Sequence, residues 1–242
     1  MKPVFSLTNH NLRSYIYHYL IFAINHDTLI HGFIILSINV IPFRTLRFET
    51  ASDSHKMVHA NASNFAEGVT KDEAYTQVLL QAEGLFEGQR NWVCNLANAA
   101  SLLWHAYKSL PQPSNQVNWA GFYTLDPQAA SSKQQLILGP FQGKVACQTI
   151  AFGKGVCGTA AETQTTQLVP DVERFPGHIA CDGDSKSEIV VPITVETEGN
   201  GEKARKLVAI IDIDCADLSG FDEVDKKYLE QLAELLGRSC DW

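Results

Sequence analysis

IVVPITVETEGNGEKARKLVAIIDID, from Ile189 to Asp214, decides how this chain folds. Two apolar, β-branched runs, Ile189–Val195 and Leu207–Asp214, flank the polar insert Glu196–Lys206, so the stretch predicts a β-hairpin with a dispensable tip. The second run ends in an unusual way. Strand side chains repeat every second residue, which puts Asp212 and Asp214 on one face where core residues would be expected. Carboxylates there are costly unless they are paired, hydrogen-bonded or protonated, the alternative being a strand end that enters solvent. If Glu188, at the start of the first run, joins them, like charges in one pocket raise at least one pKa and keep a proton ready to donate.

Upstream of the hairpin, Pro170–Ser187 has no regular pattern, and an irregular loop of that length inside a domain is usually functional. It carries Cys181, three residues after His178. Cys157 sits in a small-residue helix expected over Val156–Gln164, behind the Gly153 and Gly155 turn, and Cys147 in a strand expected over Lys144–Ala151. Glycine, alanine and proline surround all three thiols, a setting that suits reactive cysteines better than core packing. Their separations of 10 and 24 residues match no common zinc pattern, and no metal is expected.

Further upstream, VNWAGFYTL, Val117–Leu125, reads as a strand with Gln134–Leu138 as its partner. Trp119 and Tyr123, four apart, share a face and are either core or the wall of a pocket that holds a methyl or ammonium group. Two helices precede it. Thr70 and Glu73 have capping-box spacing, with Val78, Leu79, Ala82, Leu85 and Phe86 recurring at helical period; a second face runs Val93, Leu96, Ala97, Ala100, Leu103, Trp104 and Tyr107 before Pro111 and Pro113. Cys94 in that helix is expected to pack. Phe221–Arg238 closes the chain as an amphipathic helix. Strands grouped in the middle with helices at both ends predict an α+β domain, a mostly antiparallel sheet backed by terminal helices.

Composition bounds the function. Hydrophobic residues make up 45%, enough for a sizeable core, and a net charge of -8 lacks the basic face of a nucleic-acid binder. Six cysteines in 242 residues are too sparse for a disulfide scaffold, which points to a reducing compartment with any disulfide transient. Residues 1–56 differ in composition, and their longest charge-free piece, Thr28–Phe43, is 16 residues against the ~20 that cross a bilayer. No small-residue cleavage pattern follows it. Residues 1–56 are therefore expected to lie outside the folded domain, which spans 57–242, and no membrane association is expected.

A thiolate beside a neutral acid can reduce a sulfoxide. Protonation makes the oxygen a leaving group and the sulfur electrophilic; attack then yields a thioether and a cysteine sulfenic acid, which a second thiol converts to a disulfide. The runs ACQTIAFGKGVCGTAA (146–161) and LVPDVERFPGHIACDGDSKSEIVVPI (168–193), the DID triplet and NWAGFY at Asn118–Tyr123 closely resemble the free methionine-(R)-sulfoxide reductases, a catalytic branch of the GAF-domain superfamily. The resemblance spans roughly Thr70 to Cys240 and implies a GAF-like fold. It also implies reduction of free L-methionine-(R)-sulfoxide, with Cys181 as the attacking thiolate and Cys147 its resolving partner. Cys157 is a third family cysteine of open role, and Cys94, Cys215 and Cys240 match no family position. Glu188, Asp212 and Asp214 would hold and protonate the substrate, with Trp119 and Tyr123 around its methyl group. Thioredoxin as electron donor, no bound cofactor, a homodimer and a cytoplasmic, or also nuclear, location complete the expectation. Two rival readings are a GAF sensor that binds a small ligand without chemistry and a thiol redox sensor.

Overall fold

The computed structural model describes residues 63–66, 68–129, 133–178, 182–199 and 202–242. The expectations for residues 1–56 and for Cys181 itself lie outside the described residues. Regular elements run α1 (Lys71–Phe86), α2 (Trp92–Ser109), β1 (Val117–Leu125), β2 (Gln135–Gly143), β3 (Thr149–Ala151), α3 (Gly155–Thr163), β4 (Gln167–Val169), β5 (Ser187–Gly199), β6 (Glu202–Cys215) and α4 (Glu223–Ser239). All strand pairs are antiparallel, in the order β3-β2-β1-β6-β5-β4. The α+β architecture is the one expected. Among the described residues, no helix is long and apolar enough to cross a membrane.

Local chemistry starts the helices where the sequence places them. Thr70 accepts from the Glu73 amide and the Glu73 carboxylate accepts from the Thr70 amide at 2.9 Å, which closes the capping box of α1. Asp222 and Asp225 cap α4 in the same reciprocal way. The β5–β6 hairpin departs from expectation. Its strands run on through most of the polar insert to Gly199 and from Glu202, because the register sets Glu196 opposite Arg205 and opposite charges across a ladder support pairing. The segment 144–148 also differs, being irregular where a strand was expected. β2 already pairs with β1 as far as Gly143, so the chain has to turn before it can return as β3. Cys94, expected to pack, is exposed on α2, whose buried residues are Leu96, Ala99, Ala100 and Leu103 among others.

The two sheet faces have separate interiors. Helices α1, α2 and α4 cover one, where Val78, Leu103, Leu232 and Leu236 meet Phe122, Ile189, Val191, Ile211 and Ile213. A bulge at Val208 of β6, opposite Ile193 and Thr194 of β5, reverses facing along β6, so Val208 joins the helix side with Ala209 and Leu207 the other. The second face holds Trp119, Tyr123, Leu136, Val190 and Ile210 under the short helix α3. Gly158 lets α3 approach: a Cβ there would stand 2.4 Å from the Ala151 carbonyl oxygen. That contact fixes the place of the preceding residue, Cys157.

Candidate functional site

Register aligns the site. Glu188 on β5 is the cross-strand partner of Asp214 on β6, and Asp214 in turn pairs with Trp119 on β1. One row across the sheet therefore reads Trp119, Asp214, Glu188, and the next row but one, which faces the same way, places Asp212 between Gly121 and Val190. All three acids emerge on the α3 side, so the strand end does not run into solvent. Glu188 and Asp212 are buried.

A cavity of about 220 Å³ opens above these acids. Its walls include Cys147 and Ile150 from the β2–β3 side, Lys154 to Cys157 from the amino end of α3, and His178, Asp182 and Ser185 from the long loop. Burial, reinforced by the neighbouring Asp212 and Asp214 charges, pushes the Glu188 carboxyl far above its ordinary range, and burial with Asp212 does the same to Asp214. Asp212 is pushed up to about 6, chiefly by burial, while interactions with Cys157 and Glu188 act against the shift. Asp212 Oδ1 is buried without a hydrogen-bond partner. Burial thus favours the protonated form of each acid on this floor.

The thiols differ sharply. Cys147 is disulfide-bonded, whereas Cys157 is a free, buried thiol that donates to Glu188 Oε1 at 3.4 Å. Burial, with the Asp212 and Glu188 charges, raises the Cys157 pKa well above the thiol norm, so Cys157 is a poor nucleophile. Neither Cys147's disulfide partner nor Cys181 is among the described residues.

Trp119 and Tyr123 stand on the site face, yet neither is among the residues lining the cavity. Trp119 stacks between Tyr123 and Phe141, at centroid distances of 5.8 and 5.2 Å. Gly121 makes room for it, since a Cβ there would lie 2.7 Å from the indole ring and 2.3 Å from Phe141 Cβ. Tyr123 donates its hydroxyl to the Cys147 carbonyl at 3.1 Å, and Trp119 donates its indole N–H to the Lys144 carbonyl at 3.2 Å. The two aromatics thus support the segment that carries Cys147.

Seen against known proteins, the GAF domain model, of the GAF_2 type, matches residues 98–239. The free methionine-R-sulfoxide reductase of Saccharomyces cerevisiae is 58% identical over 182 residues, 75% of this chain and 94% of the yeast protein. The chain belongs to the free methionine-R-sulfoxide reductase family of GAF-domain proteins. A solved GAF-domain structure aligns with a TM-score of 0.67 at 56% identity, covering 76% of this chain and 97% of that one. The free methionine-R-sulfoxide reductase of Neisseria meningitidis, solved in complex with its substrate, aligns with a TM-score of 0.59 at 37% identity, covering 73% and 95%.

Sequence reading missed the polar clamp that holds the long loop. Lys144 bridges Asp184 at 2.7 Å and Asp182 at 3.5 Å, while Asn118 donates to Asp182 and to Ser185 Oγ. It ties the Cys147 segment to the loop that carries Cys181. The density of acids at Asp182 and Asp184 was its signal, but Lys144 is 38 residues or more away in sequence. Also missed was the amino end of α3, where Lys154 and the first-turn amides, which the Lys154 side chain does not cap, meet the cavity. Among the described residues, one set could hold a metal ion: Cys157, Glu188 and Asp212, whose ligand atoms lie within 4.8 Å of one another.

Proposed function

We propose that this protein reduces free L-methionine-(R)-sulfoxide to L-methionine with a cysteine thiolate and a proton from the buried acids. One observation carries the reading: a small cavity is floored by acids whose hold on a proton is strengthened by burial and is walled by the disulfide cysteine Cys147. At about 220 Å³ it is smaller than the roughly 300–1,000 Å³ of drug-sized pockets, which favours a free amino acid over a peptide. An ammonium group suits the acid floor, and a carboxylate suits Lys154 and the amides that open α3.

In the proposed cycle a protonated acid among Glu188, Asp212 and Asp214 gives its proton to the sulfoxide oxygen. The Cys181 thiolate attacks the sulfur, the hydroxyl passes from that sulfur to Cys181 Sγ as the transient S–S bond breaks, methionine leaves, and Cys181 is left as a sulfenic acid. The Cys147 thiol then displaces water to form the Cys147–Cys181 disulfide, which a dithiol donor, thioredoxin, reopens by exchange. The disulfide at Cys147 and the neutral thiol at Cys157 support Cys147 as the resolving residue. Such a cycle needs a reducing compartment such as the cytoplasm. The same reading carries a homodimer as the assembly, which light scattering tests.

The decisive experiment follows methionine formation from each diastereomer of the free sulfoxide, with dithiothreitol and with thioredoxin. The R form alone should turn over, and Cys181→Ser should abolish it. Cys147→Ser should keep a single turnover and lose thioredoxin recycling. Equal reaction of both diastereomers, or of sulfoxide within a peptide, overturns the enclosed-site reading, and methionine formation undiminished in Cys181→Ser removes its nucleophile.

A further inference from the structure

We propose that Cys157, Glu188 and Asp212 form a site for a thiophilic divalent cation of the zinc class, and that such a cation and the sulfoxide substrate exclude one another. The binding half stands on geometry alone; the exclusion half rests on the function proposed above. All three side chains are more than nine-tenths buried, at 7, 6 and 5% exposure, and come from three elements, α3, β5 and β6, that the sheet and the Gly158 contact hold in place. Their ligand atoms lie within 4.8 Å of one another.

Two further observations point to a ligand there. Bonds of ~2.3 Å to sulfur and ~2.0 Å to oxygen, at a tetrahedral angle, set the two donor atoms about 3.5 Å apart. Cys157 Sγ and Glu188 Oε1 are 3.4 Å apart, so these two need no rearrangement to share a zinc ion. Asp212 Oδ1 is buried with no hydrogen-bond partner, an arrangement that leaves a strong acceptor unsatisfied until something binds. One thiolate and two carboxylates suit a borderline-soft cation, whereas magnesium and calcium prefer all-oxygen, more hydrated shells. Binding replaces the thiol proton and any carboxyl proton, which leave to solvent, so no oxidant or reductant is needed. The remaining coordination positions face the cavity, where the sulfoxide would sit.

Cys157 is a free thiol while Cys147 is in its disulfide, so the site exists in the oxidised protein, where Cys147 cannot compete as a ligand. Calorimetric titration of Zn²⁺ into the full-length oxidised protein, cleared of metal by chelation, should give one site. Cys157→Ser and Asp212→Asn should each weaken it by about tenfold or more, and Cys94→Ser, an exposed thiol on α2 that does not line the cavity, should not. The Asp212 variant retains the test if Cys157→Ser fails to fold. Free methionine sulfoxide should raise the apparent Zn²⁺ dissociation constant in proportion to its concentration. Absence of a site, or equal binding in both variants, overturns the proposal, and unchanged Zn²⁺ affinity at saturating sulfoxide overturns the exclusion. A protein that binds Zn²⁺ through Cys157 but forms no methionine refutes the reductase reading and leaves the cation site standing.

Discussion

Asp212 is where the site works against the stability of the fold. Its ordinary pKa is about 3.9, against about 6 in the folded protein. Because the folded state holds this proton more tightly than the unfolded chain, the stability contribution is whole below about pH 4 and is lost as pH rises through about 6. Asp212→Asn should therefore be more stable than the parent at pH 8, by on the order of 1–3 kcal/mol, with the gap closing towards pH 4. Denaturant titrations at both pH values measure it, and a variant no more stable at pH 8 refutes the account. Turnover should fall sharply in the same variant. Gly121 shows the opposite sensitivity: Gly121→Ala drives a methyl into Trp119 and Phe141 and should cost roughly 1–3 kcal/mol, read as a lower melting temperature. The acids were legible in sequence because period two fixes their common face; the need for glycine at 121 was not, since the indole that lies over it is placed by stacking with Phe141.

Elements differ in how far their own residues determine them. The capping boxes at Thr70 and Asp222 and the apolar periods behind them made α1 and α4 readable from local sequence. Segment 144–148 has the sequence pattern of a strand, since Val145, Cys147 and Thr149 alternate well, yet β2 already occupies the pairing edge of β1. What holds that segment is side-chain chemistry: Tyr123 to the Cys147 carbonyl, Trp119 to the Lys144 carbonyl, and Lys144 to Asp182 and Asp184. Tyr123→Phe removes one of these bonds while keeping the ring. It should cost about 1 kcal/mol of stability and, on the proposed cycle, slow closure of the Cys147 disulfide after substrate oxidation. Rapid-quench thiol alkylation resolves that step, and an unchanged rate would mean that Tyr123 serves packing alone.

At the scale of the whole molecule, the sheet separates the helix-packed core from the candidate site. On the helix side Asp225 of α4 is fully buried and accepts from the Tyr75 hydroxyl of α1 at 2.8 Å and the Tyr107 hydroxyl of α2 at 3.2 Å, beside the ammonium of Lys71. Asp225→Ala removes the acceptor that two buried hydroxyls share and leaves Lys71 with Asp222 alone, and should cost about 2–4 kcal/mol, while activity per folded molecule stays at the parent level. Denaturant unfolding beside an activity assay separates the two effects. A chain that starts at Met57 should likewise keep the parent's rate, since the proposed domain spans 57–242; a large loss would bring residues 1–56 into the working unit. The sequence by itself determined the helices, the α+β class and the common face of Asp212 and Asp214, because capping and periodicity act over a few residues. Only the tertiary structure decided that β1, β5 and β6 align those acids in rows of one sheet face, that Cys157 is a neutral thiol against Glu188 while Cys147 is oxidised, and that Lys144 ties the Cys147 segment to a loop some 40 residues on. Burial and register are properties of contacts between distant segments, and the pKa values that govern the chemistry follow from burial.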